Sequence, residues 1–150
     1  MPVTRKTLYA LRATYELARR GSGGPVKAAA IARAQGIPPR FLETILHELR
    51  QAGFVTSRRG ARGGYKLARE PSALTVGEVI GFVQGPLAGS DAAPGEGGAD
   101  ASESSDHVFQ PLWRQVGEAV AGVVDATSIQ DLLDWEVERS GPDQPVSYVI

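Results

Sequence analysis

Residues 37–67 read IPPRFLETILHELRQAGFVTSRRGARGGYKL, and the fold turns on this stretch. Wound at about 100° per residue, Phe41, Leu42, Ile45, Leu46 and Leu49 share one arc of a helix, while Arg40, Glu43, Thr44 and His47 share the opposite arc. Gly53 stands where such a helix needs a left-handed stop. Phe54 to Ser57 then reads as a strand, RRGARGG as a loop, and Tyr65 to Leu67 as the returning strand. A helix followed by a basic hairpin predicts a winged helix-turn-helix. The expected fold is mainly α with a small β-hairpin wing.

A helix reads the DNA major groove through exposed side chains that pair with base edges, and Arg40 suits guanine while Glu43 accepts from cytosine. In the loop, Arg58, Arg59 and Arg62 alternate with glycines that let the backbone run close to phosphates while the guanidiniums reach a strand or a narrow minor groove. The competing readings are a solvated charge run for the arginines and an i,i+4 pair with His47 for Glu43. The hairpin context favours DNA.

The overall charge of -1 conceals a division along the chain. Residues 1–69 hold 14 Lys/Arg against 3 Asp/Glu, a charge of +11; residues 70–150 hold 2 against 14, a charge of -12. The basic half has the electrostatic footprint of a nucleic-acid binder. With no cysteine in its 150 residues, the chain can form no disulfide, thiolate zinc site or thiolate-held iron-sulfur cluster. The amphipathic, charged N-terminus lacks the apolar core of a signal peptide, and no run of 18 apolar residues occurs, so a cytoplasmic protein without membrane association is expected. An enzyme is disfavoured: the two histidines lie in different modules and the carboxylates cluster in one polar stretch.

Upstream, Thr4 can cap a first helix with Leu8, Leu11, Tyr15 and Ala18 near helical spacing, ended by GSGGP. Val26 to Ala34 reads as a short alanine-rich helix. Downstream, Leu74 to Gln84 carries the apolar residues of another helix, whereas AGSDAAPGEGGADASESSD, with five acidic residues and almost nothing to bury, predicts a mobile loop. From Val108, the residues Phe109, Leu112, Val116, Ala119, Val123 and Ala126 recur at alternating intervals of three and four, a heptad-like seam. Pro111 is tolerable in a first turn, but Gly117 and Gly122 each cost up to about 1 kcal/mol, so packing must compensate. That packing is either a partner helix or the chain's own domain. Ser128 with Asp131 resembles a capping box for a short helix through Trp135. The expected division is a winged helix-turn-helix domain at 1–86, a flexible acidic loop at 87–107, a dimerisation helix with a short following helix at 108–135, and a tail at 136–150.

Three segments together resemble the Rrf-two family of bacterial winged helix-turn-helix transcriptional regulators: IARAQGIPPRFLETILHELRQAGFVTSRRGARGGYKLA, TVGEVIGFVQGP and LWRQVGEAVAGVVDATSIQDLL. The resemblance implies that Arg40 and Glu43 address bases, that Arg59 enters a minor groove, and that Thr4, Lys6 and Tyr9 approach phosphates. It implies a homodimer through the long helix, with recognition helices about one DNA turn (roughly 34 Å) apart on a palindromic operator. Cluster-binding members carry three cysteines in the loop that here reads GSDAAPGEGGADASESSDH, so the resemblance is to a branch without an iron-sulfur cofactor. His107 alone cannot hold one. Cysteine-metabolism regulators of the family sense through cysteine synthase, which implies that enzyme as a partner for the tail residues Tyr148, Val149 and Ile150; the plainer alternative is a tail that packs on its own domain. For the whole protein, the alternative to a DNA-binding repressor is a protein-binding adaptor on the same fold.

Overall fold

The computed structural model describes residues 3–87 and 106–141. Its first helix, α1 (Arg5–Arg20), starts at Thr4, whose side chain accepts from the Thr7 backbone N–H at 3.2 Å. The face it buries differs from the expected stripe: Leu8 is exposed, and Thr7, Ala10, Ala13, Thr14, Glu16, Leu17 and Ala18 are buried. Small side chains allow neighbouring helices to come close on several sides at once. Thr14 is satisfied within the core by donating to the Ala10 carbonyl at 2.8 Å.

Among the described residues, Glu16 is the one carboxylate buried outright. It accepts from Arg19 at 2.8 and 3.1 Å, from Arg20 at 2.7 Å and from Gln35 at 2.8 Å, and so ties α1 to the next helix, α2 (Ala28–Gln35). Burial by itself would raise this carboxyl, but the hydrogen bonds from Arg19, Gln35 and Arg20 and the Arg19 charge outweigh it and hold the group down at about 2.

Helix α2 begins later than the predicted Val26 because Val26 pairs with Tyr65 through two 2.8 Å backbone hydrogen bonds. After a left-handed turn at Gly36, α3 (Pro39–Gln51) buries Leu42, Ile45, Leu46 and Leu49. Phe41, placed by periodicity on the core arc, is instead 62% exposed, because it sits at the edge of that arc where no element covers it fully. Gly53 takes the expected positive φ of 79°. The hairpin is β1 (Val55–Arg58) and β2 (Gly64–Leu67), antiparallel, with Val55 opposite Leu67 and Arg58 opposite Gly64; each strand extends one residue beyond the expectation toward the turn. Gly64 is required there: its φ is 147°, and a Cβ would run into the Val26 backbone.

A 3-10 turn (Pro71–Ala73) leads to Leu74, which is extended and fully buried rather than helical. Helix α4 (Val76–Gln84) starts from a Thr75/Glu78 capping box. Helix α5 (Asp106–Ala126) begins before Val108, which puts Pro111 inside the helix rather than in its first turn. It crosses α4 so closely that a side chain at Gly77 would run into Asp125. The predicted Ser128/Asp131 capping box is present, and α6 (Ile129–Arg139) runs past Trp135, so the start of the expected tail is helical. The two capping boxes lie side by side: Val76 donates to Thr127 and Ile129 to Leu74, both at 2.8 Å. Ile129 thereby enters the core formed by Leu17, Ile31, Leu42, Leu46, Leu49, Leu74 and Val79. Tyr15 on α1 donates to Glu136 on α6, and burial together with that carboxylate pushes its phenol up to about 12. Apart from Leu87 and the helical Asp106 and His107, the acidic loop expected at 87–107 lies outside the described residues, as does the tail from 142 onward. Among the described residues no helix is long and apolar enough to cross a membrane.

Candidate nucleic-acid interface

Burial of Leu42, Ile45, Leu46 and Leu49 against α1 and α2 turns the other side of α3 outward. Arg40, Glu43, Thr44 and His47 are all exposed on it. Proline at the first helical position sets Arg40 at the leading end of the helix. The hairpin follows within a few residues, and Arg58, Arg59 and Arg62 project from its far end into solvent. The ion pairs among the described residues are Lys6–Glu48, Arg19–Glu16, Arg20–Glu16 and Arg69–Glu78. Arg40, Glu43, Arg58, Arg59 and Arg62 thus have no ionic partner within those residues. Exposed, unpaired guanidiniums are poised for phosphates and guanine edges.

The three residues at the start of the chain are placed less uniformly. Thr4 is committed to the fold: its hydroxyl caps α1 and its N–H donates to Gln84 at 3.0 Å. The Lys6 ammonium is exposed but held by Glu48 of α3 at 2.8 Å, which aims it along the recognition helix. The Tyr9 ring is half-buried, 6.4 Å from the ring of Phe41.

Two residues to which the sequence assigned no part in the wing hold it in place. Lys27 donates from Nζ to the Gly60 carbonyl at 2.7 Å, tying the hairpin turn to the start of α2. Arg50 donates to Ser57 Oγ at 3.0 Å, joining the end of α3 to β1. The Arg50 contact was within reach of a sequence argument, since the helix end and the strand lie a few residues apart. Lys27 and Gly60 come together beside the Val26–Tyr65 pairing, which no local pattern announces.

On α5, Phe109, Leu112, Val116 and Val123 are exposed, from 38% at Val116 to 66% at Val123, although the helix packs on α4 through its other side. A row of uncovered apolar residues of this kind marks a candidate interaction surface. The side chain of His107 and the residues Tyr148, Val149 and Ile150 lie outside the described residues.

Comparison with known proteins fits this arrangement. The family model Rrf2, described as an iron-dependent transcriptional regulator, matches residues 3–135. The HTH-type transcriptional regulator CymR of Bacillus subtilis is 33% identical over 135 residues, which cover 90% of this chain and 91% of CymR. IscR of Aliivibrio salmonicida, also an HTH-type transcriptional regulator, is 33% identical over 147 residues, covering 97% of this chain and 86% of its own. The solved structure of CymR, there called the global cysteine regulator of B. subtilis, superposes with a TM-score of 0.75 at 32% identity over 90% of this chain and 98% of that one. The iron in the family description does not fit these residues as a thiolate-held cluster, because the chain has no cysteine. Among the described residues no group of three His, Asp or Glu stands close enough to bind a metal. With its fold, its outward-facing recognition helix and basic wing, and these relatives in agreement, the chain belongs to the Rrf2 family of DNA-binding transcriptional regulators.

Proposed function

We propose that this regulator acts as a homodimeric repressor on a palindromic operator, without an iron-sulfur cofactor. Arg40 and Glu43 read base edges from α3, Arg58, Arg59 and Arg62 clamp the flanking backbone and minor groove, and Lys6 and Tyr9 meet phosphates, with Thr4 holding the end of α1 on which they stand. The observation that carries this reading is the set of exposed arginines and Glu43 that have no ionic partner among the described residues, on one helix and its adjoining wing. The proposed division follows the chain: DNA binding in 1–86, an acidic segment from 87 up to the start of α5 at Asp106, dimerisation through Phe109, Leu112, Val116 and Val123 on α5, and a tail beyond the end of α6 at Arg139, all working in the cytoplasm.

The signal we propose is sulfur status. CymR, which this chain resembles over most of its length, is called a cysteine regulator. Tyr148, Val149 and Ile150 offer an aromatic and two aliphatic side chains of the kind that an apolar pocket on a partner takes up. Cysteine synthase is the proposed partner.

Binding-site selection with the purified protein tests the DNA reading. Arg59→Ala should weaken all duplexes together, whereas Arg40→Ala and Glu43→Ala should change the preferred sequence, each by about 1 to 3 kcal/mol. Affinity should also fall steeply between about 50 and 200 mM salt. Recovery of one motif by the parent and by Glu43→Ala would remove Glu43 from the readout, and affinity indifferent to salt would refute the electrostatic clamp.

A further inference from the structure

Between the first turns of α1 and the flank of α3 lies a cleft of about 330 Å³ lined by Arg5, Lys6, Tyr9, Phe41, Thr44 and Ile45. Its walls are carbon: Ile45 is buried at its base, and the tilted rings of Tyr9 and Phe41 stand 6.4 Å apart. Its rim carries two cations, Arg5, which is exposed, and Lys6, whose ammonium is shared with the Glu48 carboxylate at 2.8 Å. An aromatic ring 62% exposed on a recognition helix is an unexplained apolar group on an otherwise polar surface.

Helical geometry says what this cleft would meet. At about 100° per residue, Phe41 lies about 60° round the helix from Thr44, on the side toward α1, and about 100° from Arg40. With Arg40, Glu43 and His47 over the base edges, as in the proposed function on which this inference rests, Phe41 faces the wall of the groove rather than its floor. That wall is the sugar-phosphate backbone. A deoxyribose presents apolar carbons and is flanked by phosphates, which matches a carbon-walled cleft with cations at its rim.

We propose that the cleft seats one deoxyribose-phosphate unit of the DNA strand beside the recognition helix, with Phe41, Tyr9 and Ile45 against the sugar and Arg5 and Lys6 on the adjoining phosphates. Phe41 is then an affinity determinant that reads no base and releases no counterion. Its share of binding is independent of sequence and of salt, unlike that of every arginine around it.

The test is a fluorescence-anisotropy titration of the full chain at several salt concentrations. The probes are a duplex selected by the parent from a random library and a scrambled duplex of the same composition. Phe41→Ala should lose about tenfold on both, the effect expected for about 50 Å² of apolar contact, with an unchanged salt slope. Phe41→Leu, which keeps part of that contact, should lie between the parent and alanine. Lys6→Ala should instead flatten the slope by about one phosphate's share. Thermal unfolding of each variant checks that the fold survives.

Parental affinity in both Phe41 variants would overturn the proposal, as would a loss confined to the selected duplex, which would make Phe41 a base reader. Arg59→Ala in the same titration separates the two failures. If it weakens binding while Phe41→Ala does not, only the sugar seat is lost; if neither matters, the proposed DNA face falls with it. A small apolar molecule that occupied the cleft and left DNA affinity untouched would also overturn it.

Discussion

Glu16→Gln removes one negative charge from the core and leaves its shape, and the structure sets the size of the effect. The carboxyl is lowered from 4.5 to about 2, and each unit corresponds to about 1.4 kcal/mol, so the ceiling is about 3 kcal/mol. Its arginine partners are 46% and 38% exposed, and solvent screening at that end brings the expected loss to about 2 kcal/mol. For a chain of this length that is a fall in Tm of about 4 to 8 °C at neutral pH, measured at fixed protein concentration. Because the folded-state value is depressed, the stabilisation is fully present above about 4.5 and is lost as pH falls from there toward about 2. The gap between parent and variant should therefore narrow steadily in scans taken at pH 5, 4 and 3. No gap at neutral pH, or one as wide at pH 3, would refute the idea that a paired, ionised Glu16 ties α1 to α2.

Two further outcomes follow from the α5 face and the tail. Leu112→Asp should convert a dimer into a monomer in sedimentation at micromolar concentration, since it sets a charge in the middle of the exposed apolar row; a monomeric parent would count against dimerisation through this helix. A peptide ending in SYVI should bind cysteine synthase from the same organism, with O-acetylserine competing, and removal of Ile150 should abolish the interaction. Equal binding by the truncated peptide would leave the tail without this role.

What the sequence determined by itself are the features written in neighbouring residues. The outward Arg40/Glu43 face, the Gly53 stop and the caps at Thr4 and Ser128 depend on spacings of seven residues or fewer and appear where expected, and the basic hairpin, still local in sequence, appears with each strand reaching one residue further toward the turn. Charge segregation and the lack of cysteine are properties of composition and needed no fold. Contacts between distant segments decided the rest. Val26 left its helix because Tyr65 offered a backbone partner, and Leu74 became extended because it pairs with Ile129 beside the two capping boxes. Periodicity assigned Phe41 to the core because it ranks residues by angle about one axis, but burial depends on which neighbour arrives at that angle. At Phe41 only α1's first turns arrive, and they leave an open cleft. Glu16 is the converse case: a residue type that seldom lies fully inside is buried because Arg19, Arg20 and Gln35 converge on it, and Gln35 reaches it only after the chain has turned back from α1 into α2.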